Sequence, residues 1–216
     1  ALSWLTTNTG GPTANIGGGL TTTGAQTYND AVTLGAATTL ASTGGGAVNL
    51  ASTVNAAQAL TVNTAGTTTF GGLVGNTAAL TSVTTDAAGT TAINGGGVTT
   101  TAAQTYNDAV TLGAATTLAS TGGGAVNLAS TVNGAQALTV NTIGTTTFGG
   151  LVGGTAALTS LTTNAGGTTA INGGSVQTSG AQTYNDAVTL GADTTLTSTG
   201  GSAINLASTV NSDATA

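Results

Sequence analysis

The chain has 216 residues, no Lys, Arg, His, Cys, Met or Glu, and six aspartates as its only charged side chains, for a net charge of −6. Without cations a polyanion-binding surface cannot be built, so neither nucleic acid nor an anionic membrane is an expected partner. Disulfides, ion pairs and Lys–Asn isopeptide links are excluded as well, leaving backbone hydrogen bonds, small side chains and polar ladders to hold the fold.

In chain order, residues 1–19 read as a non-repeat opening, a cap or inter-subunit segment holding the single tryptophan, Trp4, and the single proline, Pro12. They lack the charged and apolar regions of a secretory signal, so the chain reads as a mature or excised segment. From Leu20 onward it is an array. The string Gln-Thr-Tyr-Asn-Asp-Ala-Val-Thr-Leu-Gly-Ala occurs three times, with its tyrosine at Tyr28, Tyr106 and Tyr184, 78 residues apart. Residues 20–97 and 98–175 are identical at 69 of 78 positions, and residues 176–216 are the first 41 positions of a third copy. Self-similarity at a fixed period marks a repeat architecture.

Within the repeat, Ala59-Leu60-Thr61-Val62-Asn63 and Ala47-Val48-Asn49-Leu50 alternate in polarity, which predicts strands. No window carries a helical apolar stripe, and glycines interrupt about every ten residues. The apolar set Leu40, Leu60, Leu80, Val98, Leu118, Leu138 and Leu158 recurs at intervals of 20, 20, 18, 20, 20 and 20. A second set comprises Leu50, Phe70, Ile93, Tyr106, Leu128, Phe148, Ile171 and Tyr184. A third comprises Val32, Val54, Val74, Val110, Val132 and Val152. Three short strands per coil, turned by Gly, Asn and Thr corners such as Thr43-Gly44-Gly45-Gly46, predict an all-β parallel solenoid (β-helix). The expected coil is about 18–20 residues, with four coils per repeat, and about ten coils at ~4.8 Å make a rod on the order of 50 Å long. Leu40, Leu60, Leu80, Val98, Leu118, Leu138, Leu158, Phe70, Phe148, Tyr28, Tyr106 and Tyr184 form the expected core. Asn29 with Asn49, and Asn107 with Asn127, are candidate ladder pairs. No apolar run approaches the length of a membrane span.

The strings Gly-Ala-Gln-Thr-Tyr-Asn-Asp-Ala-Val-Thr-Leu (24–34 and 180–190), Ala-Leu-Thr-Val-Asn-Thr (59–64) and Gly-Thr-Thr-Thr-Phe-Gly-Gly (66–72) resemble the repeats of very large bacterial surface exoproteins, the filamentous-haemagglutinin-like and autotransporter-type adhesins. The resemblance covers residues 20–216. It implies a right-handed β-helix, secretion to the bacterial cell surface, and a structural role in adhesion, fibre or biofilm matrix, without catalytic residues.

For chemistry the chain offers only aspartates and hydroxyls, so no enzyme activity is expected. Asp30, Asp108 and Asp186 recur 78 residues apart, too far for a carboxylate pair, and read as corner residues capping their own turns. A calcium-binding Gly-Gly-x-Gly-x-Asp pattern is missing, so neither metal nor cofactor is expected. The runs Thr21-Thr22-Thr23, Thr67-Thr68-Thr69 and Thr99-Thr100-Thr101 suggest an alternative, a ligand-binding face that is adhesive or ice-binding, although the threonines do not line up in two unbroken columns. Trp4 and Leu5 are the candidate subunit contact. The expected partner is the chain itself, stacked end to end as a homopolymer, or the remainder of a giant repeat protein.

Overall fold

The computed structural model describes residues 1–10 and 14–212; Pro12 lies outside them. Among these residues there are 28 short strands and no helix. Every strand pairing is parallel, and neighbours in each sheet are one coil apart in sequence. The chain is a parallel β-solenoid of about nine turns. At ~4.8 Å per turn that is a rod about 43 Å long.

Three faces wind past in fixed order. Face I is a ten-stranded sheet running from Gly19–Thr22 to Val210–Ser212. Face II begins as a seven-stranded sheet at Leu5–Thr6 and continues through the single bridges Val132↔Val152 and Val152↔Val176. Face III begins at Ala14–Ile16 and continues through Val54↔Val74 and Val74↔Val98 into a six-stranded sheet.

Inward residues alternate with outward ones on each strand, as in Gln26–Tyr28 and Val48–Leu50, where the outer two positions are buried and the middle one is half-exposed. All twelve expected core residues are buried, with exposures of 0 or 1%. Burying one such aliphatic or aromatic side chain contributes about 1.5–3 kcal/mol, so the interior columns carry most of the hydrophobic stabilisation.

The coil itself departs from the expected length. Register partners are separated by 19 residues at Thr91↔Val110 and by 24 at Val152↔Val176, and average about 21–22. From Gln26–Tyr28 on face II, eleven strand positions around three faces lead to Gln104–Tyr106, which therefore lies on face I. Another eleven place Gln182–Tyr184 on face III. One 78-residue repeat is thus 3⅔ coils rather than four, and the surface pattern moves by one-third of a turn at each repeat.

The single column expected from Leu40, Leu60, Leu80 and Val98 does not exist. Leu40 stacks between Leu20 and Val62, whereas Leu60 stacks between Thr38 and Val83. Leu80 and Val98 lie on face III, where Val98 pairs with Val74 and Leu118. Any aliphatic residue fits any inward position, so even spacing in the sequence does not select partners. The backbone does so at the corners. A Cβ on Gly46 would lie 2.4 Å from the carbonyl carbon of Gly24, and one on Gly95 would lie 2.1 Å from the Gly72 oxygen. These corners stack backbone on backbone, so a register that placed a residue with a side chain at the upper position would clash with the coil below.

The second set is stacked for part of its length. Tyr28, Leu50, Phe70, Ile93 and Leu112 form one inward column on face II. Tyr106, Leu128, Phe148, Ile171 and Leu190 repeat it on face I. The aromatic rings therefore rise around the axis rather than piling on one side.

Residues 1–19 also belong to the array, not outside it. They match residues 79–97 at ten of 19 positions, including Ala1, Leu2, Thr6, Thr7 and Gly17-Gly18-Gly19. Over the first seven residues their contacts match too. Leu2 bridges Thr22 as Leu80 bridges Thr100, and Leu5 pairs with Gln26 as Val83 pairs with Gln104. The Asn29 side chain donates to the Thr7 carbonyl at 2.6 Å as Asn107 donates to that of Thr85 at 2.7 Å. Divergence at Trp4 and Pro12, and a one-residue shift by which Ile16 on Leu34 answers Ile93 on Leu112, conceal the relation in the sequence.

Candidate functional site

The recurring string Gln-Thr-Tyr-Asn-Asp places its glutamine, tyrosine and aspartate inside the rod. Alternation puts Gln104 and Tyr106 on the same inward face, and the Tyr106 hydroxyl donates to Gln104 Oε1 at 3.0 Å. Gln104 Nε2 donates to the Val98 carbonyl at 3.0 Å, to Thr100 Oγ1 at 3.3 Å and to the Ala119 carbonyl at 2.9 Å. The clamp recurs around Gln26 with Tyr28 and around Gln182 with Tyr184. It ties together the strands Gly97–Thr100, Gln104–Tyr106 and Thr116–Ser120, which belong to two adjacent coils, with every polar atom of the glutamine and tyrosine side chains satisfied. Burial raises the pKa of all three tyrosines far above the ordinary phenol value, keeping them neutral hydroxyl donors.

The aspartates turn inward as well, rather than only capping their own corners. Asp108 Oδ1 accepts from Thr85 Oγ1 at 2.8 Å and from Thr91 Oγ1 at 2.9 Å, both threonines being fully buried in the preceding coil. Asp186 accepts in the same way from Thr163 and Thr169. Burial holds the Asp108 carboxyl above its ordinary value of 3.8, against the lowering by its threonine donors, and the charge of Asp86 adds to the rise. Successive repeats carry these aspartates on different faces, about 18 Å apart along the axis at the solenoid spacing. They do not meet as a carboxylate pair. Among the described residues there is no group of three or more His, Cys, Asp or Glu placed to hold a metal.

A third seam runs up the corners. Thr22 Oγ1 and Ser42 Oγ both donate to the Gly24 carbonyl, at 2.6 and 2.9 Å, and Thr64 Oγ1 donates to that of Gly46 at 2.7 Å. Thr100, Ser120 and Thr142 repeat the seam one-third of a turn away. The proposed asparagine ladders are absent: Asn49 stacks on Thr27, and Asn127 stacks on Thr105. The asparagine amides at positions 29 and 107 bond main-chain carbonyls instead, as noted above.

Outside, Thr39, Thr61, Thr84 and Thr105 form a four-rung column on face I. The equivalent Thr117, Thr139, Thr162 and Thr183 stand on face III. Above Thr105, face I continues with Asn127, Thr147 and Ala170. The threonine column therefore changes face with every repeat. A shallow groove of ≈ 340 Å³ is lined by Ser42, Thr43, Asn63, Thr64, Ala65 and Asp86 among others. In the second repeat Ile143 stands in place of Ala65 and Asn164 in place of Asp86, so the groove chemistry is not repeated.

At the edges of the stack, Trp4 is 67% exposed and points outward beside the half-buried Leu5. Ile204, Leu206 and Val210, whose counterparts in earlier coils are buried, are 37–44% exposed. The buried glutamines, threonines and aspartates went unrecognised in the sequence as interior residues. For Gln-Thr-Tyr the signal was present, since an inward tyrosine places the glutamine two positions earlier on the same side.

In comparisons with known proteins, no family model, no curated protein and no solved structure matches this chain.

Proposed function

We propose that this chain is a structural segment of an extracellular bacterial fibre, adhesin stalk or biofilm-matrix filament, and that its work is mechanical persistence. One observation carries the reading. Strand after strand pairs along the axis through about nine turns, with the interior polar groups clamped coil to coil, so tension along the rod is shared by many parallel hydrogen bonds. Two further features support it. The chain contains no Lys or Arg, so trypsin-like proteases have no cleavage site, and its repeat strings resemble those of giant surface adhesins. In this reading the partner is a further stretch of the same repeat, either in one giant chain or in copies stacked end to end.

The test is electron microscopy of the purified chain at rising concentration, combined with digestion by a protease of broad specificity at neutral pH. Unbranched filaments with a ~4.8 Å axial repeat would identify a polymer subunit. Isolated rods that survive digestion for hours would identify a stalk segment. A rod cut to short peptides within minutes would refute the persistence on which the proposal rests.

A further inference from the structure

The repeat and the coil are out of step, and this has a consequence for chains with different numbers of repeats. The contacts at the two repeat boundaries are interchangeable. Val98 bridges Val74, and Val176 bridges Val152. Thr100 bridges Leu80, and Thr178 bridges Leu158. Gln104 pairs with Val83, and Gln182 pairs with Leu161. Residues 1–20 make the same junction below the first repeat, with Leu2 on Thr22 and Leu5 on Gln26. Each boundary thus has the same strand stacking on a similar local sequence, yet each lies one-third of a turn from the last.

We infer that whole repeats can be gained or lost without disturbing the solenoid, and that each such change sets length and orientation together. One repeat adds about 18 Å, being 3⅔ coils at the strand spacing. It also turns everything beyond it by one-third of a turn. Three repeats, eleven coils, restore the original facing. A segment carried beyond the array is therefore aimed in one of three directions according to the repeat count. This rests on the stacking alone and holds whether or not the rod is a fibre component.

The experiment uses the full chain and a variant lacking residues 98–175. Deletion joins Gly97 to Val176, which restores a Gly-rich turn followed by valine at that site. The chain contains no cysteine, so spin labels can be placed cleanly at Thr39→Cys with Thr189→Cys, and at Thr39→Cys with Thr111→Cys. In the full chain, Thr39 and Thr189 lie in one outward column on face I, seven coils apart, on the order of 34 Å. Thr111 lies on face II beside Ala92 and Asn133. In the deletion variant, the 39–189 distance measured by electron–electron resonance is expected to equal the 39–111 distance of the full chain. Small-angle scattering is expected to show a rod about 18 Å shorter.

A second variant that duplicates residues 98–175 is expected to be longer by the same amount and to melt cooperatively. Both variants contain only junctions equivalent to those of the natural chain, so failure of both to fold would overturn the inference. It would equally be overturned if the deletion chain folded with its two labels on the same face.

Discussion

Ala56 has φ of 125°, in a region that L-residues rarely adopt, and its counterpart in the second repeat is Gly134 at 128°. A Cβ on Gly134 would lie 2.3 Å from the Leu112 carbonyl oxygen, so the first repeat carries local strain that the second has shed. Ala56→Gly is expected to stabilise the chain by about 1 kcal/mol, the relieved strain exceeding the added freedom of the unfolded state. A urea midpoint unchanged or lowered would contradict this. The Gln104 clamp gives an opposite case. Gln104→Leu leaves the Tyr106 hydroxyl and two main-chain carbonyls without their partner, and a loss of about 3 kcal/mol is expected, against a small effect for the exposed Thr111→Ala. Asp108 makes stability depend on pH. Its carboxyl is raised by burial first, with Asp86 adding to the rise. A group raised on folding stabilises fully below its unfolded pKa, and the contribution is lost as pH climbs through the folded value. The denaturation midpoint should therefore fall as pH rises through the range just above 3.8, the ordinary carboxylate value. Asp86→Asn, which copies Asn164 of the second repeat, should move that fall to lower pH; a profile that Asp86→Asn leaves in place would count against it.

At the scale of strands and corners, the chain contains its own control experiment. Gly95 and Gly173 occupy equivalent corners, and a Cβ on either would lie 2.1 Å from the backbone of the glycine one coil below. Gly17 holds the same place in the first coil, where nothing lies within 4 Å of an added Cβ. Gly95→Ala and Gly173→Ala are expected to cost about 3 kcal/mol through forced separation of the coils. Gly17→Ala is expected to be nearly neutral in the same thermal melt. Equal effects at the three positions would show that the glycines serve turn conformation rather than close stacking.

For the whole molecule, the composition makes acid a mild condition. Acid unfolding usually comes from protonating carboxylates that are paired with cations and from the repulsion among cations that remain. This chain has no cationic side chain, so protonation takes its net charge toward zero. Circular dichroism at pH 2 is expected to keep the neutral-pH β-signal and melting to be no earlier than at pH 7. Loss of the signal on acidification would mean that the buried aspartates are needed as anions.

Strand positions and inward faces were legible in the sequence because both are local. A two-residue alternation is read within five residues, and Tyr28, Phe70 and Leu118 reveal their burial by type alone. The existence of a solenoid was legible from the long repeat together with inward apolar residues recurring at about one coil's length, which stacked coils require. The tertiary structure alone decided which coil sits on which. Leucine, valine and threonine fit any inward place equally well, so intervals near 20 looked like a coil when the true coil is slightly longer. Close backbone contacts at Gly46, Gly66 and Gly95 select the register, and they act between residues about 20 apart, beyond the reach of any local pattern. Residues 1–19 were hidden for a related reason: a stacked coil preserves its backbone contacts while its side chains, Trp4 among them, are free to change.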